Sequence, residues 1–244
     1  YIKNWRPISL LNQDYKLIAK ALANRIKKYI TKIISTDQTG FVHDRYIGEN
    51  IVKLISIMEY CEDHEIPAII LSIDFEKAYD SVEWPIIDFA LGFFNFGSNI
   101  RQWVKILYKN VKSCVTNNGY KTNFFTPERG IRQGCPLSSF LFIITIELLA
   151  ILIRSNDQIE GIEIDGHTFK LTMFADDVCS VLKYSATSLH TIIQTFTYFE
   201  IVAGLKINYD KTEVLRIGSL RNSEAELYCQ KPLHWTNDPV IIFR

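Results

Sequence analysis

The sequence has little methionine and no leader segment. Only two Met occur among its 244 residues, and the chain begins at Tyr1 rather than at an initiator Met. We therefore expect it to be a piece of a longer polypeptide. A short basic segment followed by an apolar stretch would predict secretion, and no such segment stands near the start.

Cysteine is scarce, and its spacing excludes two classes of small, cross-linked domain. The number of cysteines is odd, and no two of them have the Cys-x-x-Cys spacing of a zinc or redox site. Neither a disulfide framework nor a structural zinc site is expected. We predict free thiols in a reducing compartment at Cys61, Cys114, Cys135, Cys179 and Cys229.

The sequence also lacks a long uninterrupted apolar run. The longest one extends from Phe140 to Ile153 and contains Glu147. At about 1.5 Å per residue it is too short to cross a bilayer core of about 30 Å. We interpret it as a buried core helix and expect no membrane partner.

Net charge is absent as well, but the charges are unevenly distributed. Residues 1–45 carry nine Lys or Arg against three Asp, so the remainder holds 18 basic and 24 acidic residues. A basic front and an acidic body suit a protein that binds phosphates at one place and metal ions at another. A solvated helix face would give the same composition.

Helical and strand patterns are mixed along the chain, which indicates an α+β fold. Helices are predicted near residues 15–34, 50–62, 84–94, 100–110, 136–154 and 186–203. A buried strand is predicted at residues 68–74 and further strands at 177–182 and 213–217. Two hairpins are expected, one turning at Asn118-Gly119 and one at Asp165-Gly166, and the tail from Ser219 is polar and weakly patterned.

Acidic side chains stand at the ends of two predicted strands. Asp74 ends a buried strand, and Asp176 and Asp177 occupy a predicted tight turn between two β segments. Adjacent carboxylates repel each other unless a cation compensates them. Two divalent ions about 4 Å apart, each bound by oxygen ligands, can stabilise the attacking and leaving oxygens of an in-line phosphoryl displacement. An Asp-Asp pair in a turn is, by itself, most often only solvated.

The order of three segments resembles the palm of reverse transcriptases. Residues 73–80 read Ile-Asp-Phe-Glu-Lys-Ala-Tyr-Asp, residues 130–138 read Gly-Ile-Arg-Gln-Gly-Cys-Pro-Leu-Ser, and residues 174–177 read Phe-Ala-Asp-Asp. They correspond to motif A, to motif B with its Gln-Gly-x-Pro core, and to the aromatic-x-Asp-Asp box of motif C. A single motif match is weak evidence, whereas three matches in the order found in the family support the resemblance.

Further segments narrow the resemblance to non-LTR, LINE-type retrotransposons. Residues 4–12 read Asn-Trp-Arg-Pro-Ile-Ser-Leu-Leu-Asn, Gln38-x-Gly40-Phe41 follows with Arg45, and residues 204–208 with Lys211 resemble motif D. The resemblance covers about residues 1–217. It implies a right-hand polymerase fold, with a palm of antiparallel strands and partial helical fingers. We expect partial fingers at residues 1–66, a palm with an inserted fingers portion at 67–218, and a connector at 219–244 toward a missing primer grip and thumb.

The resemblance assigns roles residue by residue. Asp74 and Asp176, with Asp177 in support, are implied as catalytic metal ligands, together with the main-chain carbonyl of Phe75. The implied cofactor is Mg²⁺, as two ions, with Mn²⁺ able to substitute. Tyr79 matches the steric gate against the ribose 2′-hydroxyl.

Four further positions are implied to bind substrate or assist catalysis. Gln133 and Gly134 match contacts to nucleotide and template, and Arg6 matches the fingers arginine on the triphosphate. Lys211 matches a proposed general acid for pyrophosphate. Taken singly, Tyr79 is equally a core aromatic and Lys211 an exposed turn lysine.

The implied reaction is RNA-directed DNA synthesis. Its partners are an RNA template, a DNA primer and deoxynucleoside triphosphates, and Lys20, Lys27 and Lys28 are expected on template phosphates. The implied location is intracellular, in the nucleus or a cytoplasmic ribonucleoprotein. We expect this fragment alone to polymerise poorly. Within polymerases, the alternative is a group II intron-type reverse transcriptase or an RNA-templated RNA polymerase. The alternative from another class is a non-enzymatic RNA-binding relic.

Two neighbouring residues have simpler interpretations than catalysis. Asp80 is expected to cap the helix that follows motif A, because a carboxylate readily accepts from free amides at a helix start. Arg45 is expected to anchor a loop.

Overall fold

The structure, a computed structural model, describes residues 8–239. Eight α-helices lie in this range: α1 Gln13–Lys27, α2 Ile30–Ile33, α3 Ile47–Asp63, α4 Ala78–Ser81, α5 Trp84–Phe93, α6 Ser98–Tyr108, α7 Ser138–Ser155 and α8 Ala186–Ala203. A short 3-10 helix covers Gly218–Leu220. The same range holds nine strands: β1 Ala68–Ile73, β2 Thr116–Asn117, β3 Tyr120–Lys121, β4 Ile162–Ile164, β5 His167–Phe169, β6 Leu171–Phe174, β7 Asp177–Lys183, β8 Glu213–Ile217 and β9 His234–Thr236.

A five-stranded sheet in the order β6-β7-β1-β8-β9 forms the centre of the molecule. The strands from β6 to β8 pair antiparallel, and β9 joins the edge parallel to β8. The central strand β1 is buried from Ala68 to Leu71, with no exposed surface on any of these four residues. An apolar strand covered on both faces is therefore confirmed.

Each face of the sheet has its own core, because alternate residues of a strand point to opposite faces. Ile69, Leu71 and Ile73 face the larger core, which includes residues of α1, α5, α7 and α8. Ala68 and Ile70 face a smaller core under α3. The mixed arrangement agrees with the predicted α+β class, and helices on both faces hold β1 rigidly where motif A begins.

The apolar run in the middle of the chain forms α7. The helix has 18 residues and is long and apolar enough, by length and composition, to cross a membrane, whereas the sequence predicted a run too short to do so. However, 67% of it is buried inside the protein. Glu147 lies in its middle and Arg154 in its last turn, and they pair with each other. These contacts confirm the prediction of a core helix.

Some predicted elements have different boundaries in the structure. The helix expected over residues 15–34 is divided at Lys28 and Tyr29 into α1 and α2. The hairpin that turns at Asp165-Gly166 is confirmed as β4–β5, but its second strand is shorter than expected, because residues 171–174 form β6 in the central sheet. The tail is not merely a polar connector, since it contains β9. The turn at Asn118-Gly119 is confirmed, with strands of two residues each.

All five cysteines are free, as the spacing predicts.

Candidate active site

The predicted metal ligands lie at one end of three neighbouring strands. In the β1–β7 ladder Ile73 pairs with Val178, so Asp74 stands one residue beyond the pairing and beside Asp177. In the β6–β7 hairpin Phe174 pairs with Asp177, which leaves Ala175 and Asp176 as its two turn residues. The register of the sheet thus brings Asp74, Asp176 and Asp177 to the same edge.

Motif D holds Asp74 from the opposite side. The side-chain amide of Asn208 donates to Asp74 Oδ2 at 3.0 Å, and the Asn208 main-chain N–H donates to the Asp74 carbonyl at 2.8 Å. The ammonium of Lys211 lies 3.9 Å from Asp74 Oδ2. The Lys211 side chain is 69% exposed, so this ion pair adds little stability. The Lys211 ammonium nevertheless lies close enough to Asp74 to interact with negative charge beside that residue.

The turn that carries Asp176 is strained and firmly held. Ala175 has a φ of 56°, a left-handed conformation that residues with a side chain rarely adopt. The side-chain oxygen of Gln38 accepts from the Ala175 N–H at 2.8 Å, and the Gln38 amide donates to the Ala175 carbonyl at 3.2 Å. Gln38 is 1% exposed, so both hydrogen bonds are shielded from water.

Tyr79 lies between the core and the acidic edge. Its ring stacks on Phe142 with centroids 4.6 Å apart. Burial raises the pKa of the Tyr79 hydroxyl, and the nearby charge of Asp176 raises it further. Within residues 8–239 the buried hydroxyl has no hydrogen-bond partner. The phenol therefore stays neutral beside the turn that carries Asp176.

Phe75 contributes its main chain rather than its ring to this edge. The ring is 6% exposed and packs against Phe196. The bridge between Phe75 and Ile207 uses the Asp74 carbonyl and the Glu76 N–H, one on each side of Phe75. The Phe75 carbonyl thus lies outside these two hydrogen bonds, next to Asp74.

The motif B loop packs against motif A and against the start of the chain. The Ile131 N–H donates to the Tyr79 carbonyl at 2.6 Å, and the Ser9 N–H donates to the Gln133 carbonyl at 3.0 Å. The Gln133 side chain donates to Asp80 at 3.3 Å. Gly134 has a φ of 91° and faces the Ser9 carbonyl. Gln133 and Gly134 are therefore adjacent to motif A through Tyr79 and Asp80.

The remaining site predictions have mixed outcomes. Arg6 lies outside the described residues. Asp80 does not cap α5, because it lies inside α4 and Glu83 occupies the α5 N-cap position. Arg45 donates to main-chain carbonyls in the segment that follows α2, at 2.8 Å to Gln38 and 3.1 Å to Ile34, and so anchors that loop.

Gln38 and Asn208 are two residues near the site for which the sequence predicted no role. Both lie in quoted motifs, and each reaches a partner far away in the chain, Ala175 for Gln38 and Asp74 for Asn208. The only sequence signal was a polar amide within an ordered motif. The partner and the direction of each hydrogen bond needed the fold.

The donor set at this edge suits a hard divalent cation. Carboxylate and main-chain carbonyl oxygens are the ligands that Mg²⁺ and similar ions prefer. Within the described part of the chain, no three His, Cys, Asp or Glu side chains form a ready-made metal cluster. A Mg²⁺ ion in general can be held by one or two carboxylates and take its other ligands from substrate phosphates and water.

An aspartate at a strand end beside an Asp-Asp hairpin turn, backed by a motif B loop, is the arrangement of a polymerase palm. The chain belongs to the family described as reverse transcriptase (RNA-dependent DNA polymerase), whose model matches residues 2–236. Members of this family generally use divalent metal ions. The resemblance to the non-LTR type is likewise confirmed by the relatives.

Two curated relatives come from transposable elements. The chain is 31% identical over 222 residues to the transposon TX1 uncharacterized 149 kDa protein of Xenopus laevis, covering 90% of the chain and 17% of that protein. It is 29% identical over 175 residues to a retrovirus-related Pol polyprotein from a type-1 retrotransposable element R2 of Nasonia vitripennis, covering 71% of the chain and 16% of that protein. The chain therefore spans under a fifth of the length of these relatives.

Solved structures show the same fold at low identity. Telomerase from Candida tropicalis, in complex with a fragment of telomeric RNA, superposes with a TM-score of 0.62 at 11% identity, over 83% of this chain and 35% of that one. Telomerase from Candida albicans superposes with a TM-score of 0.57 at 14% identity, over 82% and 35%. The right-hand polymerase fold expected from the sequence is thereby confirmed.

Proposed function

We propose that this chain is the catalytic core of a non-LTR retrotransposon enzyme that adds deoxynucleotides to a primer 3′-hydroxyl on an RNA template. The observation that supports the proposal is the shared end of β1, β6 and β7, where the register places Asp74, Asp176 and Asp177 at neighbouring strand ends. No observation favours the group II intron-type or the relic alternative.

Asp74 and Asp176 would hold the divalent ions, with Asp177 and the Phe75 carbonyl in support. We propose Mg²⁺ as the natural ion, two per site, with Mn²⁺ able to replace it. When bound, such ions stabilise the charge that develops on the transferred phosphoryl group and on the attacking and leaving oxygens. The protein then contributes chiefly by positioning, because Asn208 and the rigid strand β1 fix Asp74.

The remaining residues would select and orient the nucleotide. Tyr79 offers a neutral, packed ring against which a 2′-hydroxyl would clash. Gln133 and Gly134 flank the same space from motif B, and Lys211 offers a proton donor near Asp74. Arg6 would bind the triphosphate, since a guanidinium matches phosphate geometry.

The proposed partners are an RNA template, a DNA primer and deoxynucleoside triphosphates. We propose partial fingers over residues 1–66, the palm over 67–218 and a connector over 219–244. A protein with this reaction would work in the nucleus or in a cytoplasmic ribonucleoprotein.

The test replaces one carboxylate at a time in a polymerising form of the protein. Asp74→Asn and Asp176→Asn should each lower primer extension by at least about a hundredfold on a primed RNA template with Mg²⁺, because each removes a charged metal ligand. Circular dichroism and the melting temperature should stay close to those of the unaltered protein.

Asp165→Asn is the matched control. Like Asp176, Asp165 lies in the two-residue turn of a hairpin, but the β4–β5 hairpin stands outside the central sheet. Extension by this variant should be unchanged. Near-normal extension by Asp176→Asn, or an equal loss with Asp165→Asn, would contradict the proposed metal site.

A further inference from the structure

Gln38 is buried against the turn that carries the Asp-Asp pair, although it comes from the segment between α2 and α3. Its side-chain oxygen accepts two hydrogen bonds of 2.8 Å, from the N–H groups of Ala175 and Gly40. Its amide nitrogen donates to the Ala175 carbonyl at 3.2 Å. A single side chain thus holds both main-chain polar groups of Ala175.

These hydrogen bonds stabilise Ala175 in a left-handed backbone conformation that is unfavourable for a residue with a side chain. A left-handed φ costs a residue with a side chain about 1–2 kcal/mol, so Ala175 needs outside support. Gln38 supplies that support from a distant part of the chain. We call these three hydrogen bonds of Gln38 the clamp. Because Ala175 directly precedes Asp176, the clamp sets the direction in which the Asp176 side chain leaves the main chain.

Gly40 completes the clamp by close approach. A Cβ atom at this position would lie 2.3 Å from the Ala175 nitrogen and 3.0 Å from the Phe174 carbonyl carbon. Only a residue without a side chain lets the main chain come so near to the turn. The spacing Gln38-x-Gly40 therefore places the accepting side-chain oxygen of Gln38 next to the space that Gly40 leaves for the main chain of Ala175.

The neighbouring contacts attach the same segment to β6 without touching the turn. The Thr39 N–H donates to the Met173 carbonyl at 3.0 Å, and the Met173 N–H donates to the Asp37 carbonyl at 2.8 Å. The buried Asn50 amide also donates to the Met173 carbonyl at 2.8 Å. These bonds support the strand, whereas Gln38 alone among them holds Ala175.

We propose that Gln38, with Gly40, is a positioning residue that fixes the Asp176 turn for metal binding. The proposal rests on the proposed function, since it concerns the same metal site. A misplaced carboxylate should bind a divalent ion more weakly and should slow the chemical step, because small displacements cost large factors in rate.

The variants are Gln38→Met, which keeps the side-chain length and removes all three hydrogen bonds, and Gly40→Ala, which pushes on the turn. Both should raise the Mn²⁺ concentration for half-saturation, followed by electron paramagnetic resonance on the chain without substrates. In a polymerising form both should lower kcat by about 10- to 100-fold, with the KM for the nucleotide changed less than about threefold.

Asn50→Leu is the matched control, because it removes another buried amide, which donates to Met173 in β6 and to Thr39 but not to Ala175. It should lower the melting temperature as Gln38→Met does, yet leave Mn²⁺ half-saturation and kcat within about threefold of normal. Gln38→Glu retains the two accepted hydrogen bonds. If Gln38→Met fails to fold, Gly40→Ala and Gln38→Glu carry the test, with Gln38→Glu milder than Gly40→Ala.

Wild-type Mn²⁺ binding and kcat in folded Gln38→Met, or equal losses in Asn50→Leu, would overturn the positioning role. If the unaltered protein neither binds Mn²⁺ through Asp176 nor extends a primer, the proposed function fails instead. An Asp176→Asn reference in the Mn²⁺ titration separates these two failures.

A second feature, independent of the turn, is an open groove of about 510 Å³ between the end of α1 and the α5–α6 connection. Arg25, Lys28 and Lys32 line it, and no acidic residue does. These three cations form no ion pair with any described residue. The volume lies in the range of about 300–1,000 Å³ that ligand sites occupy.

Aromatic side chains share the groove with the cations. Tyr29 is 57% exposed beside it, and Phe94 and Phe96 line it while packing against the core. Basic grooves with aromatic surfaces bind single-stranded nucleic acid, because phosphates bind the cations and bases stack on the rings. None of these residues belongs to the candidate metal site.

The groove separates cations that the sequence analysis grouped together. At about 100° per residue, Lys16, Lys20 and Lys27 fall on one flank of the buried stripe of α1, and Arg25 falls on the other. Lys28 lines the groove, whereas Lys20 and Lys27 do not. We expected Lys20, Lys27 and Lys28 all to contact the template. The groove narrows this expectation to the flank that carries Arg25, Lys28 and Lys32.

We infer that this groove binds a single-stranded polynucleotide away from the metal site. The inference rests on the proposed function only for the choice of nucleic acid as ligand. The unpaired RNA template and an unpaired DNA strand share this chemistry, so both are used as probes. Binding is measured by fluorescence anisotropy on the whole chain, without metal or nucleotide.

Substituting Gln at Arg25, Lys28 and Lys32 together should weaken binding of single-stranded RNA about tenfold near 0.1 M salt. The slope of log affinity against log salt should fall by up to about 2, since each lost contact to a single strand removes about 0.7. Tyr29→Ala should weaken binding several-fold with an unchanged slope, because stacking releases no counterions.

Substituting Gln at Lys16, Lys20 and Lys27 removes the same charge from the other flank and is the control. It should change affinity less than about threefold. A loss with RNA alone assigns the groove to the template, and an equal loss with DNA assigns it to unpaired strands of either sugar. Equal losses from both triple variants, or a normal Tyr29→Ala, would overturn the inference and leave only a solvated basic face.

Discussion

At the scale of single residues, Tyr79 has two kinds of neighbour. Its ring stacks on Phe142, as a core aromatic would, and its hydroxyl lies near the charge of Asp176, as a site residue would. The hydroxyl is buried without a hydrogen-bond partner among the described residues. The ring and the hydroxyl can therefore be tested separately.

We predict that Tyr79→Ala raises the use of ribonucleotides relative to deoxyribonucleotides by about tenfold or more, because the ring no longer blocks a 2′-hydroxyl. Tyr79→Phe retains the ring and should keep the discrimination. The measurement is the ratio of kcat/KM for the two sugars. An unchanged ratio in Tyr79→Ala would reduce Tyr79 to a core aromatic.

Glu147 is a charged residue in the middle of the apolar helix α7. It is 2% exposed, and its Oε1 accepts from Arg154, which also bonds to Asp37 at 3.2 Å. Burial raises the pKa of Glu147, although Arg154 opposes the rise. The cluster joins α7 to the segment that contains Asp37 and Gln38.

The raised pKa predicts the sign of a pH effect. Folded Glu147 keeps its proton to higher pH than the unfolded chain does, so its contribution to stability is full below the ordinary value of 4.5 and is lost as pH rises through the folded value. Glu147→Gln should flatten the fall in unfolding free energy over that window, measured by urea denaturation.

The control for this prediction is Glu163→Gln, which removes an exposed carboxylate from β4. It should leave the pH dependence as in the unaltered protein. An unchanged slope in Glu147→Gln would show that Glu147 titrates alike in both states.

The site was predictable where strand pattern and residue type coincided. The pattern of apolar strands ending in carboxylates predicted the positions of Asp74 and the Asp176-Asp177 pair, which the register of β1, β6 and β7 brings to one end of the sheet. Their role as metal ligands was implied by the resemblance and stays a prediction. The role of Gln38 could not be predicted, because its hydrogen bonds to Ala175 span 137 residues. A local pattern carries no information about which distant turn a buried amide will meet.

At the scale of elements, Gly204 links the end of α8 to motif A. It ends the helix with a φ of 77°, and a Cβ there would lie 2.2 Å from the Ser81 carbonyl oxygen. The segment that follows places Asn208 on Asp74. The close contact of Gly204 with α4 therefore fixes the path from α8 to Asp74, a ligand of the proposed metal site.

We predict that Gly204→Ala destabilises the protein by more than about 3 kcal/mol, since strain and a main-chain clash add. Gly166→Ala is matched in φ, at 75°, but its Cβ would meet nothing within 4 Å. It should cost only the strain, about 1–2 kcal/mol. Chemical denaturation measures both, and equal losses would mean that the contact with Ser81 is not limiting.

The second strand of the hairpin at Asp165-Gly166 is shorter than predicted for a physical reason. Strand patterns run from β4 through β6, but Lys170 interrupts them by donating to the carbonyls of Arg154 at 3.1 Å and Asn156 at 2.7 Å. Its ammonium thus satisfies the end of α7. The chain changes sheets at this residue, and period-two alternation cannot show which sheet a strand will join.

At the scale of the whole molecule, the tail is attached to the central sheet through Arg216. This β8 residue is 5% exposed, and its guanidinium donates to the Ala225 carbonyl at 2.8 Å, to Asn237 at 3.2 Å and to Glu226 at 3.1 Å. It also lies 5.1 Å from the ring centroid of Trp235 in β9. The sequence did not predict this attachment, because a strand of three residues such as β9 has too short a pattern to be recognised in a polar tail.

We predict that Arg216→Lys releases the tail while the rest of the sheet stays folded, since one ammonium cannot make three directed hydrogen bonds and stack on a ring. The expected loss is about 2 kcal/mol. Hydrogen exchange should rise across residues 219–239 and stay slow in β1. Arg221→Lys is the control, because Arg221 pairs with Glu62 at the surface and should change little. Equal exchange in both variants would mean that backbone pairing of β9 with β8, rather than Arg216, holds the tail on the palm.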